Sequence, residues 1–139
     1  MGIFERTFSA LGLSLICIAS AGHAAEDALL TGDRFGAYVS GSTVTFAHND
    51  QVYGMEQYMP GNHVIWRRLG GDCQEGTWFA QGDEICFDYG EGVPLQCWQF
   101  YQTATGLRAR SMNDASGMWL YEVMRTDEPM QCPAPYLGA

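Results

Sequence analysis

The 139-residue sequence contains no lysine, so all seven of its basic residues are arginine. Sixteen aspartate and glutamate residues oppose them and give a formal net charge of -9. Nucleic-acid binding needs a basic surface that displaces counterions from the phosphates, and a strongly acidic surface repels them. The composition therefore predicts an acidic protein without a DNA or RNA partner, whose charge favours solubility.

The sequence also lacks an apolar run long enough to cross a membrane, since a membrane-spanning helix needs about 20 residues. The longest apolar run covers residues 8–21, follows Arg6 and precedes small residues up to Ala24. This layout is typical of a cleaved export signal. We predict a signal peptide over residues 1–24, cut after Ala24 or alternatively after Ala21. The mature chain, residues 25–139, is then a single domain without a membrane segment, located in the periplasm or secreted.

Recognisable catalytic and metal-binding motifs are absent too. Past residue 24 the only histidines are His48 and His63, and neither lies near a Gly-x-Ser-x-Gly nucleophile motif. There is no Cys-x-x-Cys, which argues against a zinc ribbon or a redox site, and no glycine-rich loop that opens a helix and could hold a phosphate. We expect no catalytic residue, no metal and no cofactor. A Ser/His/Asp triad assembled by the fold is the alternative.

The cysteines indicate disulfide bonds. Removing residues 1–24 would remove Cys17 and leave an even number, which in a small exported domain predicts two bridges. If the segments 84–89 and 95–102 pair as a hairpin, Cys86 lies opposite Cys97, and the remaining bridge joins Cys73 to Cys132. Four cysteines allow three connectivities, and this is the one that we favour.

Most of the mature chain consists of short β-branched and aromatic runs separated by glycine, asparagine, aspartate or proline. This pattern is typical of an antiparallel meander. We predict eight strands, at residues 42–48, 52–59, 63–69, 73–80, 84–89, 95–102, 107–112 and 118–124. An all-β fold closed into a small barrel is favoured because closure removes exposed sheet edges; an open sheet or a sandwich is the alternative.

Two segments lie outside this meander. Thr31 is a candidate N-cap for a short N-terminal helix that Gly41 would end. The segment after Asp127 contains three prolines, so it cannot continue a strand ladder and should lie extended on the surface, pinned through Cys132.

Tryptophan and arginine side chains are the candidates for a ligand site. Each of the four tryptophans falls in a different predicted strand, and the rings at the mouth of a small barrel can wall a pocket. Two arginines on one strand face could bind a carboxylate. The predicted ligand-binding residues are Trp66, Trp78, Trp98, Trp119, Arg108 and Arg110. Core packing of the tryptophans and ion pairs of the arginines are the alternatives.

Several carboxylates also fall within predicted strands, among them Glu56, Glu75, Asp88 and Glu122. We expect them on a solvated strand face. A pair with a raised pKa, of the kind that glycosidases use, is the alternative.

The chain resembles a bacterial family of small exported proteins that is classed as a domain of unknown function. The resembling stretch covers about residues 31–132 and includes YGMEQY at 53–58, CQEGTW at 73–78, ICFDY at 85–89 and CW at 97–98. The resemblance implies export and paired cysteines, and it implies no activity or site.

A weaker resemblance is to periplasmic lysozyme inhibitors, which are small disulfide-bonded barrels with a Ser-Gly-x-x-Tyr motif. The segment SGMWLY at 116–121 has one residue more than this motif, which moves Tyr121 to the other strand face. The resemblance implies an interaction site at Ser116, Gly117 and Tyr121. We therefore expect a non-catalytic small-ligand binder, with a protein-interaction module such as an enzyme inhibitor as the alternative.

Overall fold

The computed structural model describes Gly2 and residues 27–133. Apart from Gly2, the predicted signal peptide with Cys17 and its cleavage sites lies outside the described residues. Within them the chain forms one α-helix, one short 3-10 turn and nine strands. In chain order these elements are β1 (Ala28–Leu29), α1 (Gly32–Val39), β2 (Thr43–His48), β3 (Gln51–Met59), the 3-10 turn (Pro60–Asn62), β4 (His63–Arg68), β5 (Cys73–Gln81), β6 (Glu84–Asp88), β7 (Gln96–Thr103), β8 (Gly106–Ser111) and β9 (Trp119–Thr126).

Strands β2 to β9 form a closed, eight-stranded antiparallel barrel. Each strand pairs with the next along the chain, and β9 pairs back with β2. Short connections suffice because every neighbour is antiparallel. The barrel confirms the predicted fold and all eight predicted strands. β1 was not predicted. It is a separate two-residue strand that pairs antiparallel with the last part of β7, where Ala28 lies opposite Gln102.

The β2–β3 connection shows how the turn residues determine this path. Asn49 and Asp50 have φ values of +48° and +61°. Two consecutive positive φ values are the feature of a tight hairpin turn whose twist matches the strands, and asparagine and aspartate tolerate them better than most side chains do.

Helix α1 closes one end of the barrel. Thr31 is its N-cap, and its Oγ1 accepts a hydrogen bond from the Arg34 backbone N–H at 3.5 Å, as the sequence predicted. Phe35 and Val39, four residues apart on one helix face, are 0% and 1% exposed. Phe35 inserts among the aromatic rings of the barrel interior. Among the described residues, no helix has the length and apolar character to span a membrane.

The C-terminal segment crosses the outside of the barrel as an extended strap. The disulfide between Cys73 and Cys132 fastens this segment to β5, which confirms the predicted bridge. Hydrogen bonds also attach it to β2, β3 and β4, namely Thr43 Oγ1 to Glu128 O at 2.8 Å, Met130 N to Gln57 Oε1 at 3.0 Å and Arg67 Nη1 to Gln131 O at 3.0 Å.

The second predicted disulfide, Cys86 to Cys97, is also present and joins directly opposed residues of β6 and β7. Because side chains alternate along a strand, this pairing places Ile85 and Phe87 on the barrel interior. Both are nearly fully buried, at 1% and 2% exposed.

Candidate functional site

The end of the barrel opposite α1 opens into a cavity of about 450 Å³. This volume lies within the range of about 300–1,000 Å³ that is usual for small-molecule sites. Aromatic rings from five parts of the meander contribute to its wall, including Tyr53, Trp66, Phe87, Tyr89, Trp98 and Phe100. The cavity is therefore a chamber with one open end, and aromatic rings are prominent in its wall.

The side chain of Glu56 projects into this chamber from β3 and is only 4% exposed. The Tyr89 hydroxyl donates a hydrogen bond to Glu56 Oε1 at 2.6 Å, and the Tyr58 hydroxyl donates one to Oε2 at 3.2 Å. Burial raises the pKa of Glu56 to about 8, although both hydrogen bonds act in the opposite direction. Burial and the neighbouring carboxylate raise the pKa of both tyrosines, so their hydroxyls keep their protons.

Two glycines within strands make room for the rings around Glu56. A Cβ placed on Gly54 would collide with the Trp66 ring, which crosses directly over that residue. A Cβ on Gly76 would lie 2.7 Å from Cδ1 of Tyr89. Glycine inside a strand often marks such a close approach. Gly54 and Gly76 thus allow Trp66 to line the cavity and Tyr89 to reach Glu56.

The rim of the cavity is more polar than its wall. Arg68, Asp72, Gln74 and Gln96 line it, and the Arg68 guanidinium lies over the Tyr53 ring at 4.7 Å from the ring centre. This geometry is a cation–π contact. The site therefore combines a polar entrance, aromatic walls and one buried carboxyl group.

The structure separates the four predicted tryptophans. Trp66 and Trp98 line the cavity. Trp78 packs edge-on against Phe35, with ring centres 5.1 Å apart, beneath α1 at the closed end. Trp119 belongs to a different group, in which its ring lies against Arg108 and Tyr101.

Neither of the two predicted arginines lines the cavity. Arg108 forms an ion pair with Asp27 at 2.9 Å, and its guanidinium lies 4.4 Å from the centre of the Trp119 ring. Arg110 lies beside the same ring, at 6.0 Å. Leu107 and Ala109 alternate with these arginines and are buried, so the arginines lie on the outer face of β8.

The three predicted interaction residues lie around one shallow depression, next to the open end of the barrel. Ser116, Gly117 and Tyr121 line it together with His48. The Ser116 hydroxyl donates to Asp114 Oδ2 at 2.6 Å, and Tyr121 is 46% exposed. Nδ1 of His48 is hydrogen-bonded to a backbone carbonyl and Nε2 to the Asn49 amide, so neither ring nitrogen meets a nucleophilic side chain.

The prediction that the strand carboxylates lie on a solvated face is correct for Glu75 and Asp88, which are exposed. It is wrong for Glu56 and for Glu122, whose side chain is only 8% exposed. Glu122 Oε2 accepts hydrogen bonds from the Tyr38 hydroxyl and the Leu107 backbone N–H. Gly54, Glu56 and Tyr58 alternate inward on β3 in the structure, but these residue types form no apolar pattern in the sequence that could have identified the buried carboxyl group.

One cluster of side chains could in principle coordinate a metal ion. It consists of Glu84, Cys86 and Cys97, whose coordinating atoms lie within 4.8 Å of one another. Both sulfur atoms are joined in a disulfide, so neither is available as a thiolate. This cluster is therefore a crosslink between strands and offers no metal centre.

Comparison of the chain with protein-family models, with curated proteins and with solved structures gave no match.

Proposed function

We propose that the protein binds a small organic molecule in the barrel cavity and does not transform it. The observation that carries this proposal is the aromatic chamber of about 450 Å³, closed by α1 at one end and open at the other. Apolar walls with a few placed polar groups are typical of ligand pockets, and aromatic rings supply large apolar contact areas. Glu56 is the buried polar group that would orient the bound molecule.

We also infer that this binding takes place outside the cytoplasm. The two intramolecular disulfides fit an oxidising periplasmic or extracellular environment. Residues 1–24, with their apolar run behind Arg6, would direct the export.

A variant that blocks the cavity tests the proposed binding. Ala109 is 1% exposed and lines the cavity, so Ala109→Phe adds a ring to the space that a ligand would fill. We expect native mass spectrometry to find a small molecule retained by the wild-type protein after exposure to an extract of the producing cells. The Ala109→Phe variant should retain none.

The matched control is Val123→Phe, since Val123 is 56% exposed and lies away from the cavity lining. This variant should retain the same molecule as the wild type. Bare protein in all three samples, or equal retention by Ala109→Phe, would contradict binding in the cavity.

The alternative function is a protein-interaction module of the enzyme-inhibitor type. The observation that favours it is the shared depression formed by Ser116, Gly117 and Tyr121, with the exposed tyrosine at its border. If it is correct, a molar excess of the protein slows lysozyme on cell-wall substrate, and Tyr121→Ala weakens this inhibition by about tenfold or more, as for an interface hot spot. Unchanged lysozyme activity at a large excess would reject this function.

A further inference from the structure

The two tyrosine hydroxyls around Glu56 are placed to stabilise its ionised form. Each of its two oxygens accepts a hydrogen bond from a tyrosine hydroxyl, from Tyr89 on Oε1 and from Tyr58 on Oε2. A protonated carboxyl group would instead use one of its oxygens as a donor. The chain therefore provides two donors for a negative charge at the inner part of the cavity.

The ionised form of Glu56 would have no positive partner within the described residues. Arg108 forms an ion pair with Asp27 and Arg125 with Glu122, so both of these arginines pair with other carboxylates. Charges removed from water are normally paired, because an isolated buried charge is costly. A ligand that carries a positive charge would complete this arrangement.

The rings around Glu56 are suited to such a ligand. Trp66 lies directly opposite Glu56 in the β3–β4 pairing, and Tyr89 contacts it through its hydroxyl. Trp98 and Tyr53 line the same chamber. The faces of aromatic rings attract cations, most strongly where water is excluded, and aromatic cages recognise quaternary ammonium groups in this way.

We propose that the cavity is selective for an organic cation, whose ammonium group pairs with the Glu56 carboxylate between the rings of Trp66, Tyr89 and Trp98. This inference rests on the proposed small-ligand binding and specifies the chemical class of the ligand. The apolar part of the cation would occupy the remaining aromatic chamber, towards the mouth.

Several other ionisable groups face this site. Tyr58 on β3 and Tyr89 after β6 hold the carboxylate, and Glu122 on β9 acts electrostatically on Tyr58. Tyr53, Arg68 and Asp72 lie at the mouth. Arg68 is two residues beyond Trp66 on β4, which is about 6–7 Å further along the strand, towards the entrance. The entrance therefore carries one charge of each sign, and Glu56 determines the charge of the inner chamber.

Cation binding should release a proton from Glu56. Because burial raises its pKa to about 8, the carboxyl group of the empty cavity is mainly protonated at neutral pH. A bound cation stabilises the ionised form, so the proton leaves for the solvent. The affinity for a cation should then rise by about 50-fold between pH 6 and pH 8, as linkage to one proton requires.

The probes that test this inference are phenyltrimethylammonium and its neutral isostere tert-butylbenzene. Phenyltrimethylammonium cannot lose its own charge, so any pH dependence belongs to the protein. Isothermal titration calorimetry in phosphate and in Tris would measure both the affinity and the released proton. We expect the cation to bind at least about tenfold more tightly than the isostere above pH 8, a factor that the added charge pair can readily supply.

Two variants separate this role of Glu56 from a structural one. Glu56→Gln keeps the shape but removes the charge, so it should lose the preference for the cation and its pH dependence while it still binds tert-butylbenzene. Tyr89→Phe keeps the ring but removes a hydrogen bond that lowers the pKa of Glu56. Its affinity for the cation should therefore reach its midpoint at a higher pH than in the wild type.

The outcomes distinguish the selectivity for an organic cation from small-ligand binding as such. Tighter binding of the cation, lost in Glu56→Gln, supports the inference. Equal or tighter binding of tert-butylbenzene above pH 8 would overturn the choice of a cation and leave small-ligand binding in place. Failure of both probes to bind the wild-type protein would overturn the choice of a cation, and the mass-spectrometry comparison with Ala109→Phe would then decide whether the cavity binds any small molecule.

Discussion

Replacing Phe35 with alanine should lower the free energy of unfolding by about 3–5 kcal/mol, the usual cost of truncating a fully buried phenylalanine. Phe35 is 0% exposed and contacts rings from four strands, namely Tyr58, Trp78, Phe87 and Phe100. Because these rings are held by the barrel, they cannot collapse fully into the vacated space. Urea denaturation followed by tryptophan fluorescence would measure the loss.

The matched control for Phe35 is Phe79→Ala. Phe79 is on β5 and is 39% exposed, so the same truncation removes far less buried contact. We expect it to cost about 1 kcal/mol or less. Similar losses for the two variants would show that α1 does not hold the closed end of the barrel together.

Replacing Glu56 with glutamine should remove a loss of stability that the wild type undergoes between acidic and alkaline pH, roughly 3–5 kcal/mol from about 1.4 kcal/mol per pKa unit. The pKa of Glu56 is about 8 in the folded protein and near 4.5 in the unfolded chain. Between these values the unfolded chain loses its proton while the folded protein keeps it. The stability of the wild type therefore falls as the pH rises from about 4.5 to 8, and then levels off.

Urea denaturation at a series of pH values would show this as a difference between the two curves. The curves of the wild type and Glu56→Gln should separate steadily with rising pH and run parallel above about pH 8. Glu91→Gln is the control, since Glu91 lies exposed in the loop between β6 and β7. A constant difference between the wild type and Glu56→Gln would contradict the raised pKa.

The barrel strands could be predicted because two local signals coincide along the chain. Turn residues such as Asn49, Asp50 and Gly82 adopt positive φ between runs of β-forming residues. The opposed cysteines at 86 and 97 then fixed which residues of β6 and β7 point inward. Both signals are local in the sequence, so the strands and their inward faces can be predicted without knowledge of the tertiary structure.

The positions of α1 and β1 could not be predicted in the same way. The sequence around Thr31 indicates where the helix begins, but its docking depends on Phe35 meeting rings from distant strands. β1 has only two residues, which is too short for any periodic pattern, and it is defined by its pairing with β7.

The cavity carboxyl group was missed because β3 has no clean alternation. Its apolar side chains include Tyr53 and Met55 at odd positions and Tyr58 at an even one. The register of β2 with β3 shifts where Phe46 pairs with Gly54 and Ala47 with Val52, so Tyr53 is an extra residue between these pairs. Such a bulge redirects side chains. It brings Tyr53 into the cavity lining together with Glu56, three residues later.

The closure of one end of the barrel by α1 also has a kinetic consequence. Within the part of the chain that the structure describes, the mouth is the open end of the cavity, so a resident molecule leaves by the path along which a second molecule would have to enter. Exchange must then proceed by departure followed by entry. The observed rate of replacement should equal the dissociation rate of the resident molecule and should not increase with the concentration of the competitor.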